Sequence, residues 1–242
     1  MLHSAREVVQ AVLLEEHHRM HLICESSLLE DYLCEQEVVD YSHPLIQEAM
    51  HLAGAVECLS EACGARINSR EHVPATTPGA ETERIRKTFE FVRDSIHHSW
   101  DIQSPQVTCK ASEVLYYGEG LCYAKSHLLA ALLRAQGIPT GFCYQRLAAG
   151  ATPEMGYALH GLNAVFLSSE AKWIRLDARG NKPGVQAEFS TGEERLAYVV
   201  RPELGEIDYP TIYTQPHPKV VKALQEHTNC LHLCQYFLPD QL

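Results

Sequence analysis

The segment GEGLCYAKSHLLAALLRAQGIP, residues 118–139, constrains this chain more than any other. Gly118 and Gly120 supply a flexible turn, and Cys122 opens a run in which Leu121, Ala124, Leu128, Leu132 and Ala135 recur at helical spacing. Leu129 and Leu133 widen that apolar face until little of the circumference is left for water, so the helix is expected to be central and buried. Gly137 followed by Ile138 and Pro139 ends it, a glycine cap and then a residue that cannot continue a helix. Such a helix needs other elements wrapped around it, and it carries a cysteine at its positive end.

Strand-like runs follow at residues 140–147, 157–167 and 172–178. The last two predict a hairpin in which His160, Leu162, Ala164 and Phe166 share one face, and Trp173, Arg175 and Asp177 the matching one. A two-residue turn at Ser168-Ser169 would set His160 directly opposite Asp177, with Cβ atoms about 5 Å apart. A shifted turn would make them diagonal neighbours, still within reach.

Before the central helix, residues 1–77 read as a helical region packing on the core. Pro44 suits a first helical position, and Leu45, Ala49, Leu52, Val56 and Leu59 recur on one face. Periodicity fails over 63–80, where Gly64, Pro74, Pro78 and Gly79 mark a boundary. A second helix then places Ile85, Phe89, Val92 and Ile96 inward and Arg84, Arg86, Lys87 and Asp94 outward. The expected organisation is a helical region over 1–77, a core over 78–205, and a tail over 206–242, rich in proline and histidine, that covers the core. The fold class is α+β: a central cysteine-bearing helix on an antiparallel sheet, with N-terminal helices.

A chain of 242 residues has room for one sizeable core and one active site. Its 45% hydrophobic and 21% charged residues are those of a globular protein, and a net charge of -11 offers no basic footprint for nucleic acid. Glu7, Glu15 and Glu16 interrupt the apolar run a secretion signal requires, and no later stretch could span a bilayer, so a cytoplasmic protein with no membrane partner is expected. Nine irregularly spaced cysteines then read as thiols, most of them small buried hydrophobes.

Taken alone, Cys122 would be one more such thiol. Its place at a helix start, with a histidine and an aspartate on successive strands, argues for chemistry instead. A thiol attacks carbonyls as thiolate; the free N–H groups of a helix terminus stabilise that anion, and a neighbouring imidazole holds the proton as an ion-pair partner. His160 would return the proton to a leaving group while Asp177 fixes the ring's tautomer and orientation.

At these residues the sequence resembles the transglutaminase-like superfamily, whose fold is related to papain. The likeness runs roughly over 82–184. G-x-G-L-C-Y-A-K with L-L-R-A-Q-G-I-P resembles the family's nucleophile block, Y-A-L-H-G-L-N-A-V-F-L its histidine strand, and K-W-I-R-L-D-A-R the strand bearing its acid. The resemblance implies Cys122 as nucleophile, His160 as base and Asp177 as orienting acid, with an upstream Trp100 or Gln103 as candidate second donor to the oxyanion. The chain departs from the family at Gly161, where many members carry an aromatic residue, and at Asp177-Ala178, where many carry Asp-Pro.

His17 and His21, and the group His227, Cys230, His232 and Cys234, have no established zinc-ligand spacing, so no metal or cofactor is expected; His97, His98 and Cys109 read as structural. The expected reaction is acyl transfer through a thioester on a peptide, protein or small amide or ester. Hydrolysis by a protease, peptidase or amidase is favoured for a small cytosolic chain. Transglutaminase-type amine transfer uses the same residues, and a non-catalytic binding or scaffold protein retaining the fold is the alternative from another class.

Overall fold

The computed structural model describes residues 20–50, 78–150 and 152–242. Its elements, in chain order, are β1 (Ile23–Cys24), α1 (Pro78–Ser95), β2 (His97–His98), α2 (Ala111–Tyr117), β3 (Glu119–Gly120), α3 (Cys122–Ala135), β4 (Thr140–Ala148), β5 (Tyr157–Leu167), β6 (Lys172–Leu176), β7 (Ile207–Asp208), β8 (Thr211–Ile212), α4 (Pro218–Glu226) and α5 (Cys230–Tyr236). Residues 44–50 are also helical.

The expected central helix is α3. Every residue from Tyr123 to Arg134 is buried, so its polar members need internal partners. Arg134 finds them at both ends of the chain: it donates to the carbonyl of Thr140 from Nε and Nη2, to Cys34 from Nη1 at 2.6 Å and to Thr214 from Nη2 at 2.8 Å. The C-terminal end of α3 thus ties the N-terminal arm and a C-terminal segment to the core. Gly137 caps the helix at φ 75°, a conformation that favours glycine, and the backbone N–H of Ile138 reaches back to Leu133 at 3.0 Å.

One face of α3 lies on a four-stranded antiparallel sheet of order β6-β5-β4-β7. Asn163 of β5 fixes that packing, its side-chain amide donating to Ser126 of α3 at 3.1 Å and to Gly141 of β4 at 3.2 Å. α1 packs on α3 through its predicted stripe: Ile85, Phe89 and Val92 are fully buried, and Ile96 follows just past its end. The class is α+β.

The N-terminal region departs from expectation. Over 20–43 the described chain is not helical but forms β1, a 3-10 turn at Leu29–Leu33 and loops. The reason is tertiary pairing: Ile23 and Glu25 donate to Pro210 and Ile212 at 2.8 and 3.0 Å, making β1 a parallel partner of β8, while buried Tyr32 donates from its hydroxyl to Ile212. Helix begins at Pro44 as the sequence predicts, yet Ile46 rather than Leu45 is the residue fully buried. Leu52, Val56, Leu59 and most of the 63–80 boundary lie outside the described residues, as do Glu7, Glu15, Glu16 and His17.

Beyond residue 205 the chain builds structure rather than only draping it. β7 extends the sheet along β4, β8 pairs with β1, and after α5 the backbone N–H of Leu159 in β5 donates to Pro239 at 2.7 Å.

Candidate active site

Cys122 is the first residue of α3, and Leu121 at the N-cap contributes no side-chain hydrogen bond. The N–H groups of the first turn are therefore left for whatever approaches that end. Gly120 just before it is required by close packing more than by turn flexibility: a Cβ there would lie 2.9 Å from Thr108 Oγ1 and 3.1 Å from Ala124 Cβ. The short parallel pair of β2 and β3 brings His98 alongside Gly120, with the Ser99 N–H donating to the Gly120 carbonyl at 3.2 Å.

His160 comes to the same place from β5. Its Nε2 lies 2.7 Å from Asp177 Oδ2, with both side chains buried, so the ring's Nδ1 is the nitrogen left for the thiol. The hairpin register differs from the two-residue turn: residues 168–171 make a four-residue turn with Ala171 at φ 49°, and Asn163 pairs with Leu176. Extending that register sets Asp177 opposite Leu162, so His160 and Asp177 are diagonal neighbours on one face. The carboxylate is held by two further donors, the backbone N–H of Ala197 at 3.0 Å and of Arg179 at 3.2 Å.

The electrostatics follow from this geometry. Burial works against a charged imidazole, but the carboxylate of Asp177 and the sulfur of Cys122 overcome it and raise the His160 pKa to about 10. Burial likewise opposes the Asp177 anion, and the charge and hydrogen bond of His160 with the two backbone N–H groups hold its pKa below the usual carboxylate value. The ring of Tyr198 stands edge-on to His160 with centroids 5.0 Å apart.

Cys122 and His160 line a cleft of about 810 Å³ together with His98, Trp100, Arg179 and Tyr198. Residues of α5 and the chain beyond it, among them Cys234, Tyr236 and Phe237, form another of its walls. Of the two expected oxyanion side chains the structure brings Trp100 to the cleft, 39% exposed. Gln103 stays outside the lining, at φ 53°, its amide donating to the Trp100 carbonyl at 2.6 Å.

Several site residues were not found by sequence reasoning. Arg179, buried, donates to both oxygens of Asp101 at 2.7 and 2.9 Å and lies 5.9 Å from the Tyr198 ring. Lys125 is fully buried, donating to the carbonyls of Ile96 and Arg93, and burial, with Arg179 adding to it, brings its pKa down to about 7. Both stand inside the motifs that carry the resemblance, Lys125 three residues after Cys122 and Arg179 two after Asp177, and that proximity was the available signal. His98 and Tyr198 carry no such signal.

The other thiols contrast with Cys122. Burial pushes Cys109 and Cys143 up to about 12, Cys24 and Cys34 are exposed and do not line the cleft, and Cys58 and Cys63 lie outside the described residues. In the C-terminal group, Cys230 and Cys234 have sulfurs 3.9 Å apart, while His227 and His232 rest on the Phe237 ring with centroids 4.8 and 5.1 Å away.

Comparison with known proteins locates this arrangement. No curated protein sequence matches the chain. Among similar solved structures are a proposed cysteine protease from Cytophaga hutchinsonii, at 14% identity and TM-score 0.37, covering 68% of this chain and 47% of its own. Another is the periplasmic domain of TgpA from Pseudomonas aeruginosa bound to ethylmercury, at 18% identity and TM-score 0.35, covering 64% and 50%. The chain spans about half the length of these structures. Residues 71–178, from before α1 to just past β6 and so including Asp177, match the model of the transglutaminase-like superfamily, the family that the nucleophile, histidine and acid motifs resemble.

Proposed function

We propose that this chain is a cysteine-nucleophile acyl-transfer enzyme that hydrolyses an amide or ester through a thioester on Cys122. The observation that carries the reading is the buried His160–Asp177 pair, Nε2 to Oδ2 at 2.7 Å, beside a cysteine at the uncapped start of a buried helix. A raised imidazole pKa supports a ring that holds the thiol's proton at neutral pH.

In the acylation step the Cys122 sulfur attacks the carbonyl carbon and the carbonyl π pair moves to oxygen, facing the first-turn N–H groups of α3. As the C=O re-forms, the bond to the leaving nitrogen or oxygen breaks, and that atom takes the proton from His160. Asp177 keeps the ring oriented throughout. Water then attacks the thioester and gives a proton to His160, left neutral by the first step; the carbon–sulfur bond breaks to release an acid and the thiolate, which re-forms its pair with the His160 imidazolium. The cleft is open to solvent, which supports water as the acceptor. A peptide, protein or small amide is the proposed substrate, and the net charge of -11 disfavours nucleic acid as a partner. A cytoplasmic location is part of the proposal; among the described residues no helix is long and apolar enough to cross a membrane.

The test is labelling of native protein with iodoacetamide below pH 7, followed by peptide mapping, alongside incubation with activated esters with and without a primary amine. Cys122 should be alkylated well ahead of the other eight cysteines and should carry the acyl group, with free acid as the product. Uniform labelling of all accessible thiols would leave the binding-module reading in place. Acyl transfer to the amine in preference to water would move the reaction to the cross-linking type.

A further inference from the structure

The histidine- and cysteine-rich stretch over 227–237 packs one side of α5 into the protein and leaves the end of the helix in the cleft. Cys230 and Leu233 are fully buried, and the backbone N–H of Cys230 donates to the Pro105 carbonyl at 2.8 Å, which fixes α5 to the loop ahead of α2. Asn229 caps the helix, its side chain accepting from the His232 N–H at 3.0 Å. Where α5 ends, Tyr236 and Phe237 are 62% and 49% exposed, and both line the cleft that holds Cys122.

The histidines brace these two rings. The His227 ring lies 4.8 Å from that of Phe237, and the His232 ring lies 5.1 Å from Phe237 and 5.2 Å from Tyr236, centroid to centroid. His227 is itself anchored through Nδ1 to the Ala223 carbonyl at 2.9 Å. A pair of aromatic side chains held this way loses little freedom when something covers it. Trp100, Met155 and Val199 line the same cleft, so five large apolar side chains that the fold leaves open to water meet on its walls.

The charges of the lining are already paired. His160 stands with Asp177, Arg179 with Asp101 and Arg201 with Glu206, at 2.7, 2.7 and 2.6 Å. A charged group entering here would shed water and meet no free counter-ion, whereas an apolar one would cover the open rings and be covered by them.

We propose that the acyl group delivered to Cys122 carries a neutral aromatic or large aliphatic side chain, and that Tyr236 and Phe237 are the specificity-determining residues that select it. The acyl group is the part of the substrate that stays on Cys122 through both steps of the hydrolysis, so a wall beside it acts in both. This selection presupposes acyl transfer at Cys122, and the experiment below separates the two.

The probes are the p-nitrophenyl esters of acetic, 3-phenylpropionic and succinic acids, followed by p-nitrophenolate release, with the acylated residue located by peptide mapping. The leaving group is common to all three, so ratios of kcat/KM report the acyl group alone. Wild type should prefer the phenylpropionyl to the acetyl ester by about 10²-fold and take the succinyl ester no better than the acetyl. That phenylpropionyl-to-acetyl ratio should fall about 10-fold in Phe237→Ala and in Tyr236→Ser, the second at a side chain exposed enough to be dispensable for folding. Because each ratio is taken within one preparation, a reduced folded fraction cancels. A wild-type ratio near one, a preference for the succinyl ester, or the wild-type ratio retained in either variant would overturn the assignment, and acylated Cys122 would leave the acyl-transfer reading standing. Failure of all three esters to acylate Cys122 would overturn that reading, and the assignment with it.

Discussion

Two cysteine–histidine neighbourhoods share helix α3. At its N-terminal end Cys122 faces His160 over a cleft; further along, His127 is buried and its Nδ1–H donates to the carbonyl of Cys109 at 2.8 Å. The residue types are the same and the environments are opposite. His160 has a carboxylate at 2.7 Å, and its pKa rises to about 10; His127 Nε2 has no partner, and burial brings its pKa down to about 4. Burial, with Glu113 adding to it, pushes Cys109 up to about 12, while Cys122 stands at a helix terminus open to the cleft. A cysteine beside a histidine is not a reactive pair; a third group that favours the imidazolium, and a way in for the substrate, make it one.

The largest effect should come from erasing that third group. Asp177→Asn keeps the shape and an acceptor for one of the two backbone N–H groups, Arg179 bonding Oδ1 and Ala197 Oδ2, and leaves His160 buried beside a neutral partner, as His127 is. Ester turnover is expected to fall about 10³–10⁴-fold, and iodoacetamide labelling of Cys122 at pH 6.5 to slow toward that of Cys109. Labelling that stays fast in the variant would show that the helix terminus alone activates the thiol, and the comparison would lose its premise.

The sequence carried the site further than it carried the scaffold. Glycine caps, the apolar circumference of α3 and the long apolar run of β5 are local signals, and they place Cys122 at the start of α3, His160 on β5 and Asp177 just past β6. The turn after β5 holds four residues with Ala171 in a left-handed conformation, which the apolar pattern of the strands does not encode, so the directly opposite pairing became a diagonal one. The arm over 20–43 was read as helix because its partner, residues 210–212, lies far along the chain and leaves no mark on it. Arg134, which joins both segments through carbonyls of Cys34 and Thr214, is equally silent in the sequence.

The second prediction opposes the two histidines across pH. A histidine of raised folded pKa, as His160, adds stability that is fully present below its unfolded value near 6.5 and is lost as pH rises through about 10. His127 runs the other way: it stays neutral in the folded state while the unfolded chain takes up a proton below about 6.5, so its burial costs stability as pH falls toward about 4. His127→Asn retains a donor near Nδ1 and does not titrate. Urea unfolding should show the variant gaining on wild type by on the order of 3 kcal/mol between pH 6.5 and 4, and holding a constant difference between pH 7 and 8. Parallel curves throughout would mean that His127 takes up its proton as readily in the folded protein as in the unfolded chain.

The smallest expected effect concerns how closely strand and helix approach at the reactive end. At His127 the helix packs against a ring, with Phe142 of β4 edge-on at 5.9 Å between centroids. Beside His160 the sheet has Gly161 instead, and the Tyr123 ring of α3 fills the space, its hydroxyl donating to the Leu159 carbonyl. A Cβ at position 161 would meet Tyr123 Cδ1 at 2.9 Å, and the ring, fully buried, has little room to retreat. Gly161→Ala should therefore cost about 1–3 kcal/mol, seen as a lower urea midpoint at unchanged slope. Tyr123→Leu alone should also destabilise, but adding Gly161→Ala to it should cost clearly less than in the wild-type background, because the contact that opposes the new methyl is gone. Additive losses would instead place the strain of position 161 in the β5 backbone, and the close approach of strand to helix would then owe nothing to the glycine.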